Sequence, residues 1–179
     1  TRRQRQMCIR DSKKALREAF GSFATGITVV ATRQADGTRR GFTANSFTSV
    51  SLDPPLVLIC IAKTSLSYEV FRTSTCFSVN VLSDAQRDIS KIFASQSANK
   101  FDLGEWTHGA AEMPVLRDAL ANFICQRENL VEAGDHVIMI GRVLDMQIQQ
   151  GAPLGYFKGN YFSVGLDQSL ISAVPNPAP

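Results

Sequence analysis

The sequence predicts a closed antiparallel β-barrel with a few short flanking helices, and three observations carry that prediction. Six or so short apolar or β-branched runs recur along the chain, and turn residues separate most of them. The regular strand and helix alternation that builds a doubly wound parallel sheet is missing. At 179 residues and 44% apolar content, the chain has enough material for one domain with its own core. The expected organisation is a basic arm over residues 1–10, one domain over 11–165 and a Pro-rich tail over 166–179.

Taken in order, Asp11 or Ser12 can cap a first amphipathic helix. Its apolar residues Ala15, Leu16, Ala19, Phe20 and Phe23 recur at helical spacing, with an end near Gly21 or at Gly26. Ile27 to Thr32 is rich in β-branched residues and reads as a strand, which Asp36-Gly37 turns into a hairpin with Arg40 to Ser46. After Asp53-Pro54-Pro55, the run Leu56 to Ala62 has no polar alternation, which predicts a central strand buried on both faces. Ser65 or Ser67 can cap a short helix through Tyr68, Val70 and Phe71, and a strand follows from Cys76 to Leu82. Ser83 caps another helix, with Ile89, Ile92 and Phe93 on one face. Ser95 to Gly109 is polar and irregular and reads as a long surface loop, a kind of segment that usually carries function. A brief helix around Val115 to Leu120 leads to a strand from Ala121 to Arg127, a turn at Ala133-Gly134-Asp135 and a long strand from His136 to about Gln149. Gly155 to Val164 forms a last hairpin or strand, and Val174 to Pro179 is extended.

Composition removes several classes of function. The longest apolar run, Leu56 to Ala62, is far shorter than the ~20 residues that span a bilayer, and no apolar stretch follows the basic N-terminus. Neither a membrane span nor a secretory signal is expected, and the cytoplasm is the expected compartment. Cys8, Cys60, Cys76 and Cys125 form no Cys-x-x-Cys pair, and three of them sit in apolar runs, so reduced core thiols are expected. With His108 and His136 as the only imidazoles, a histidine-rich metal centre is not expected. Seven bases face one acid over the first seventeen residues. No aromatic residues are interleaved with them, which favours a solvated arm over a nucleic-acid-binding one.

The strongest chemical signal is Gly41 to Pro55. Thr43, Asn45, Ser46, Thr48, Ser49 and Ser51 alternate there with Phe42, Phe47, Val50 and Leu52. Hydroxyls and an amide held among core residues must find partners in the protein or in a polar ligand, so this stretch reads as one wall of a ligand site. Phosphate-binding Gly-rich loops, the dinucleotide fingerprint, His-Glu-x-x-His and the Gly-x-Ser-x-Gly elbow are all absent.

Five blocks in order resemble the short-chain flavin reductases, the NAD(P)H-dependent reductase components of two-component flavin monooxygenases. They are Phe23 to Val30, Gly41 to Val57, Phe77 to Leu82, Lys100-Phe101 and Gly134-Asp135-His136. The resemblance implies a six-stranded antiparallel Greek-key FMN-binding split barrel that forms a homodimer. It implies hydride transfer from NADH (or NADPH) to FAD (or FMN), with release of reduced flavin to a separate monooxygenase acting on an aromatic substrate. FAD is favoured over FMN because the stand-alone reductases of the family often use it. A non-catalytic split barrel that binds flavin or haem is the alternative.

The same resemblance implies a set of site residues. Thr28 falls in the first block. Thr43, Ala44, Asn45 and Ser46 are expected along the flavin ring edge, where N–H groups and hydroxyls stabilise the charge that develops on reduction. Ser49, Val50 and Ser51 are expected to continue toward the ribityl chain. Cys60, Ile61, Ala62, Lys63, Ser65 and Ser67 run from a strand to a helix start, which suits an anion; Lys63 is expected as counter-charge to the flavin phosphate, with Ser65 and Ser67 as donors. Phe93, Ala94, Lys100 and Phe101 are expected to cover the far end of the cofactor. His136 is the expected catalytic residue, orienting the carboxamide or supplying a proton to the reduced flavin.

Overall fold

The computed structural model describes residues 12–165, so the arm over residues 1–10, Cys8 and the tail from 166 onward lie outside the described residues. Helix α1 (Ser12–Phe20) stops where the Gly21 N–H donates to Arg17 O, as its apolar spacing predicts. Leu16, Phe20 and Phe23 are nevertheless 47, 72 and 78% exposed, so this helix covers no core of its own chain.

The barrel begins with the short β1 (Thr25–Gly26), β2 (Thr28–Arg33) and β3 (Arg39–Ala44). The turn between β2 and β3 is the expected one: Gly37 takes a φ of 87°, where a side chain would strain the backbone, and donates to Gln34 O. Strands β4 (Thr48–Leu52) and β5 (Pro55–Ala62) follow, then α2 (Tyr68–Thr73) and β6 (Cys76–Val81). Ser83 and Gln86 form a reciprocal capping box on the 3-10 turn Asp84–Gln86, which leads into α3 (Arg87–Ala94) with Ile89 and Phe93 buried. The polar stretch after it is not featureless, because it holds a 3-10 turn at Lys100–Asp102 and β7 (Trp106–His108). The chain continues through β8 (Pro114–Leu116), β9 (Ala121–Ala133), β10 (His136–Ile148), β11 (Leu154–Phe157) and β12 (Asn160–Ser163).

One antiparallel sheet runs in the order β3-β2-β6-β9-β10-β5-β4. The barrel expected from six strands therefore carries seven in this sheet, because β4 pairs along β5 as a strand in its own right. A three-stranded sheet, β1-β11-β12, and the pair β7-β8 sit beside it.

Two expectations change. The segment Val115 to Leu120 is not a helix: β8 pairs with β7, the Leu116 N–H donates to the buried Asn80 Oδ1, and Asp118 adopts a φ of 60° that ends the strand. In β5 only Val57, Ile59 and Ile61 are buried, and the alternate residues Leu56, Leu58, Cys60 and Ala62 are half-buried. Its apolar run serves one core face and one partly open face.

Alternation along β2 explains how one strand serves two cores. Val30 joins the barrel interior with Ile59, Phe71, Phe77, Val79 and Met139. Val29 faces the other way, into an outer layer with Leu82, Phe93, Leu116 and Leu154 beneath α3. Among the described residues no helix is long and apolar enough to cross a membrane.

Candidate functional site

The sheet curls until its two ends meet, but no backbone ladder joins β3 to β4 or β5. Side chains close the seam instead. Ser46, just past β3, accepts from the Cys60 N–H at 2.9 Å on β5, and Ser67 at the start of α2 donates to Gly41 O at 3.4 Å. On the outer side, Thr43 donates to Ser90 O at 2.6 Å and ties β3 to α3. The hydroxyls expected to face a ligand are thus largely committed to the barrel.

What the seam leaves free is mostly backbone and one amide. Gly41 O points out of the sheet and is taken up by Ser67 and Lys100, and antiparallel alternation turns the N–H and C=O of Thr43 toward the same edge, where no strand pairs with them. The Asn45 side chain is exposed and makes no hydrogen bond among the described residues. Here a cavity of about 430 Å³ opens, within the ~300–1,000 Å³ range of small-molecule sites.

Thirteen of the expected site residues line this cavity: Thr43, Ala44, Asn45, Ser46, Cys60, Ile61, Ala62, Ser65, Ser67, Phe93, Ala94, Lys100 and His136. Six do not. Thr28 is buried and donates to Ala44 O at 2.9 Å; with Ser49 it lines a neighbouring cavity instead. Val50 and Ser51 lie along β4, outside the lining. Phe101 lines an adjoining cavity. Lys63, expected beside a phosphate, instead pairs with Glu132 of β9, and that hydrogen bond raises its pKa.

Phe42, Thr64, Leu66, Ser95 and Gln96 also line the cavity without having been singled out. Phe42, Thr64 and Leu66 lie inside the stretches that drew attention, so their neighbours were the available signal. Ser95 and Gln96 follow α3 in a polar segment where nothing local marks them.

The two ends of the cavity differ chemically. At one end His136 Nδ1 sits 2.7 Å from Asp135 Oδ1. A carboxylate can only accept, so this contact puts a proton on Nδ1 and leaves Nε2 on the other side of the ring. The hydrogen bond from His136, then its charge, hold the Asp135 carboxyl below the usual carboxylate range. At the other end Lys100 Nζ donates to Phe93 O at 3.0 Å and Gly41 O at 3.4 Å. Burial, then the nearby Arg40, lower its pKa. Ser65 Oγ accepts from the Ser67 N–H at 3.2 Å and keeps its own proton to donate.

A strip of unpaired backbone and an amide run beside Ala44 and Ile61, with a cation and a hydroxyl turn at the far end. This arrangement suits a planar heteroaromatic ring with polar atoms on one edge and an anionic tail. Among the described residues no cluster of three or more His, Cys, Asp or Glu side chains is placed to hold a metal ion.

Comparison with known proteins bears on that arrangement. Residues 20–165 match the model of the flavin reductase like domain. The chain is 48% identical over 160 residues to a probable flavin reductase of Rhizobium meliloti, covering 89% of this chain and 51% of that protein. It is 47% identical over 150 residues to the reductase component of the flavin-dependent trigonelline monooxygenase of Acinetobacter baylyi, covering 84% and 48%. The chain therefore spans about half the length of these curated relatives. Among solved structures, the NADH:FAD oxidoreductase SgcE6 of Streptomyces globisporus, in complex with NAD and FAD fragments, superposes with a TM-score of 0.83 at 35% identity, covering 88% of this chain and 96% of that one.

Proposed function

Because this chain belongs to the flavin reductase-like family, we propose that it is an NADH-dependent flavin reductase that passes reduced flavin to a separate monooxygenase, with an aromatic compound as that partner's substrate. A flavin bound here would supply the redox chemistry, as acceptor of the two electrons of a nicotinamide. The protein's part is to bind, orient and manage protons. The Thr43 backbone and the Asn45 amide hold the polar edge of the ring, where negative charge grows on reduction. His136 lines the same cavity and, with Nδ1 held by Asp135, can hold or give a proton there through Nε2. Lys100 and the Thr64–Ser67 turn receive the phosphate, the role expected of Lys63. The enzyme is proposed to work as a homodimer.

One observation carries this reading: the unpaired edge of β3 and the unbonded Asn45 amide share one cavity with His136. The reductase assignment of the relatives and the solved complex with NAD and FAD fragments support it. The test is consumption of NADH by the purified protein with added FAD or FMN, followed as loss of the nicotinamide's near-ultraviolet absorbance. Flavin-dependent oxidation of NADH is expected. Flavin binding without turnover would assign the chain to a non-catalytic flavin-binding role, and absence of both would overturn the reading.

A further inference from the structure

Thr28 lies behind the cavity wall, and its hydroxyl is spent on one group. It is 2% exposed on β2 and donates to Ala44 O at 2.9 Å. Its chain neighbours Ile27, Val29, Val30 and Ala31 are all buried and apolar, so packing alone would be served by a valine of the same branched shape. The hydroxyl has another use.

We propose that Thr28 is a positioning residue for the flavin. Acting through the Ala44–Asn45 peptide, it aims and strengthens the Asn45 N–H toward the polar edge of the ring, and so favours reduced over oxidised flavin. The proposal rests on the flavin reading above and adds to it control of the reduction potential by a residue outside the cavity lining.

Peptide geometry is the first argument. Thr28 pairs with Ala44, the last residue of β3. The alternation that turns Gly41 O and both polar groups of Thr43 outward turns Ala44 O inward, onto β2. The Ala44–Asn45 peptide is trans, since among the described residues only Asp53–Pro54 is cis. A planar trans peptide points its N–H opposite to its C=O, so holding Ala44 O inward aims the Asn45 N–H at the open edge. That N–H finds no backbone partner among the described residues, and Asn45 lines the cavity. One residue earlier, the Thr43 hydroxyl donates to Ser90 O at 2.6 Å. The wall is thus fastened from β2 and from α3.

Polarisation is the second argument. An amide whose carbonyl accepts a hydrogen bond donates more strongly through its own N–H, by about 10–30% per bond in a chain of such bonds. Register gives Ala44 O the Thr28 N–H as a ladder partner, and the hydroxyl adds a second donor to the same oxygen. Negative charge grows on the ring as it is reduced, so a strengthened donor gains more with reduced flavin than with oxidised.

The test compares the wild type with Thr28→Val and Thr28→Ser, each titrated anaerobically with oxidised and with reduced FMN and FAD. Valine removes the hydroxyl and leaves the ladder bond to Ala44 O in place. Thr28→Val should bind reduced flavin about fivefold more weakly and oxidised flavin within about twofold, lowering the bound potential by roughly 20 mV for a two-electron couple. Hydride transfer from NADH should slow with little change in KM, and Thr28→Ser should restore both. In the flavin-free protein, the Asn45 amide proton resonance should move upfield in Thr28→Val, while that of Thr43, on a peptide Thr28 does not touch, stays in place. Should Thr28→Val fail to fold, Thr28→Cys, with its weak thiol donor, should show the same order of effects. Equal losses for the two redox states, or an unmoved potential beside a lowered urea midpoint, would make the bond a plain strand fastener and overturn the proposal while leaving the reductase reading intact. Failure of the wild type to bind either flavin would instead strike the reductase reading itself.

Discussion

Asn45 and Ser46 are adjacent, yet they do different work. Ser46 is a structural fastener, since its Oγ is the partner of the Cys60 N–H across the seam. Ser46→Ala strands that amide and should cost about 1–3 kcal/mol, read as a lower urea midpoint. Asn45 spends nothing on the fold, so Asn45→Ala should leave the midpoint unchanged and lower flavin turnover by about tenfold or more. Lys100 provides a pH test. Its folded pKa is lowered, so it loses its charge as pH rises, before the ~10.4 of an ordinary lysine. Affinity for FMN should therefore fall in the alkaline range ahead of that value, whereas riboflavin, which has no phosphate, should show no such loss. The cysteines separate in the same way. Burial, then the neighbouring Cys76, push the Cys125 thiol up to about 12. Native-state alkylation followed by peptide mapping should spare Cys125 and label Cys60, and bound flavin should protect Cys60 in the cavity wall. Much of the wall was legible in Thr43 to Ser46, because small polar residues among large apolar ones are a local signal. Lys63 was not: Glu132, which captures its ammonium group, lies far along the chain on another strand.

At the scale of elements, periodicity and caps specified most of the chain. The capping box of Ser83 and Gln86 and the Gly37 turn form as their residues predict. The short segment Pro114–Leu116 shows where local signals end. Its three apolar residues suit either a helix or a strand, and Asn80 decides between them. From β6, Asn80 accepts from the Leu116 N–H at 2.9 Å and from Asn122 Nδ2 at 2.8 Å. Asn80→Ala should unfasten β8 and the Trp106 segment packed on Phe93, raising hydrogen exchange there before the barrel itself opens. Inside the barrel, Gly141 exists because Phe77 does. A Cβ there would meet Phe77 Cζ at 2.5 Å and Cys125 Cβ at 2.9 Å, so Gly141→Ala should cost about 1–3 kcal/mol in chemical denaturation.

At the scale of the whole molecule, the exposed apolar surface is the main unfinished business. Leu52 is 94% exposed, and Leu144, Met146 and Ile148 on alternate positions of β10 are 50, 57 and 57% exposed. Register brings Leu52 beside Pro55 and Leu56 beside Arg142, so these residues gather toward one end of the sheet. Apolar area of this kind is what a second copy would cover in the proposed homodimer. Sedimentation should give twice the 19.6 kDa chain mass, and Leu52→Lys with Met146→Lys should shift it toward the monomer. By itself, the sequence determined the long strands on either side of the Gly37 and Gly134 turns and that the ordered blocks follow the flavin reductase pattern, because these rest on local periodicity, turn chemistry and order along the chain; the short strands at Thr48–Leu52, Trp106–His108 and Pro114–Leu116 depend on partners elsewhere. Only the tertiary structure decided that Gly41, Cys60, Ser67, Lys100 and His136 meet at one seam, with Lys63 turned away. Strand pairing, barrel curl and charge capture join residues far apart in the chain, and no local pattern records which of them will meet.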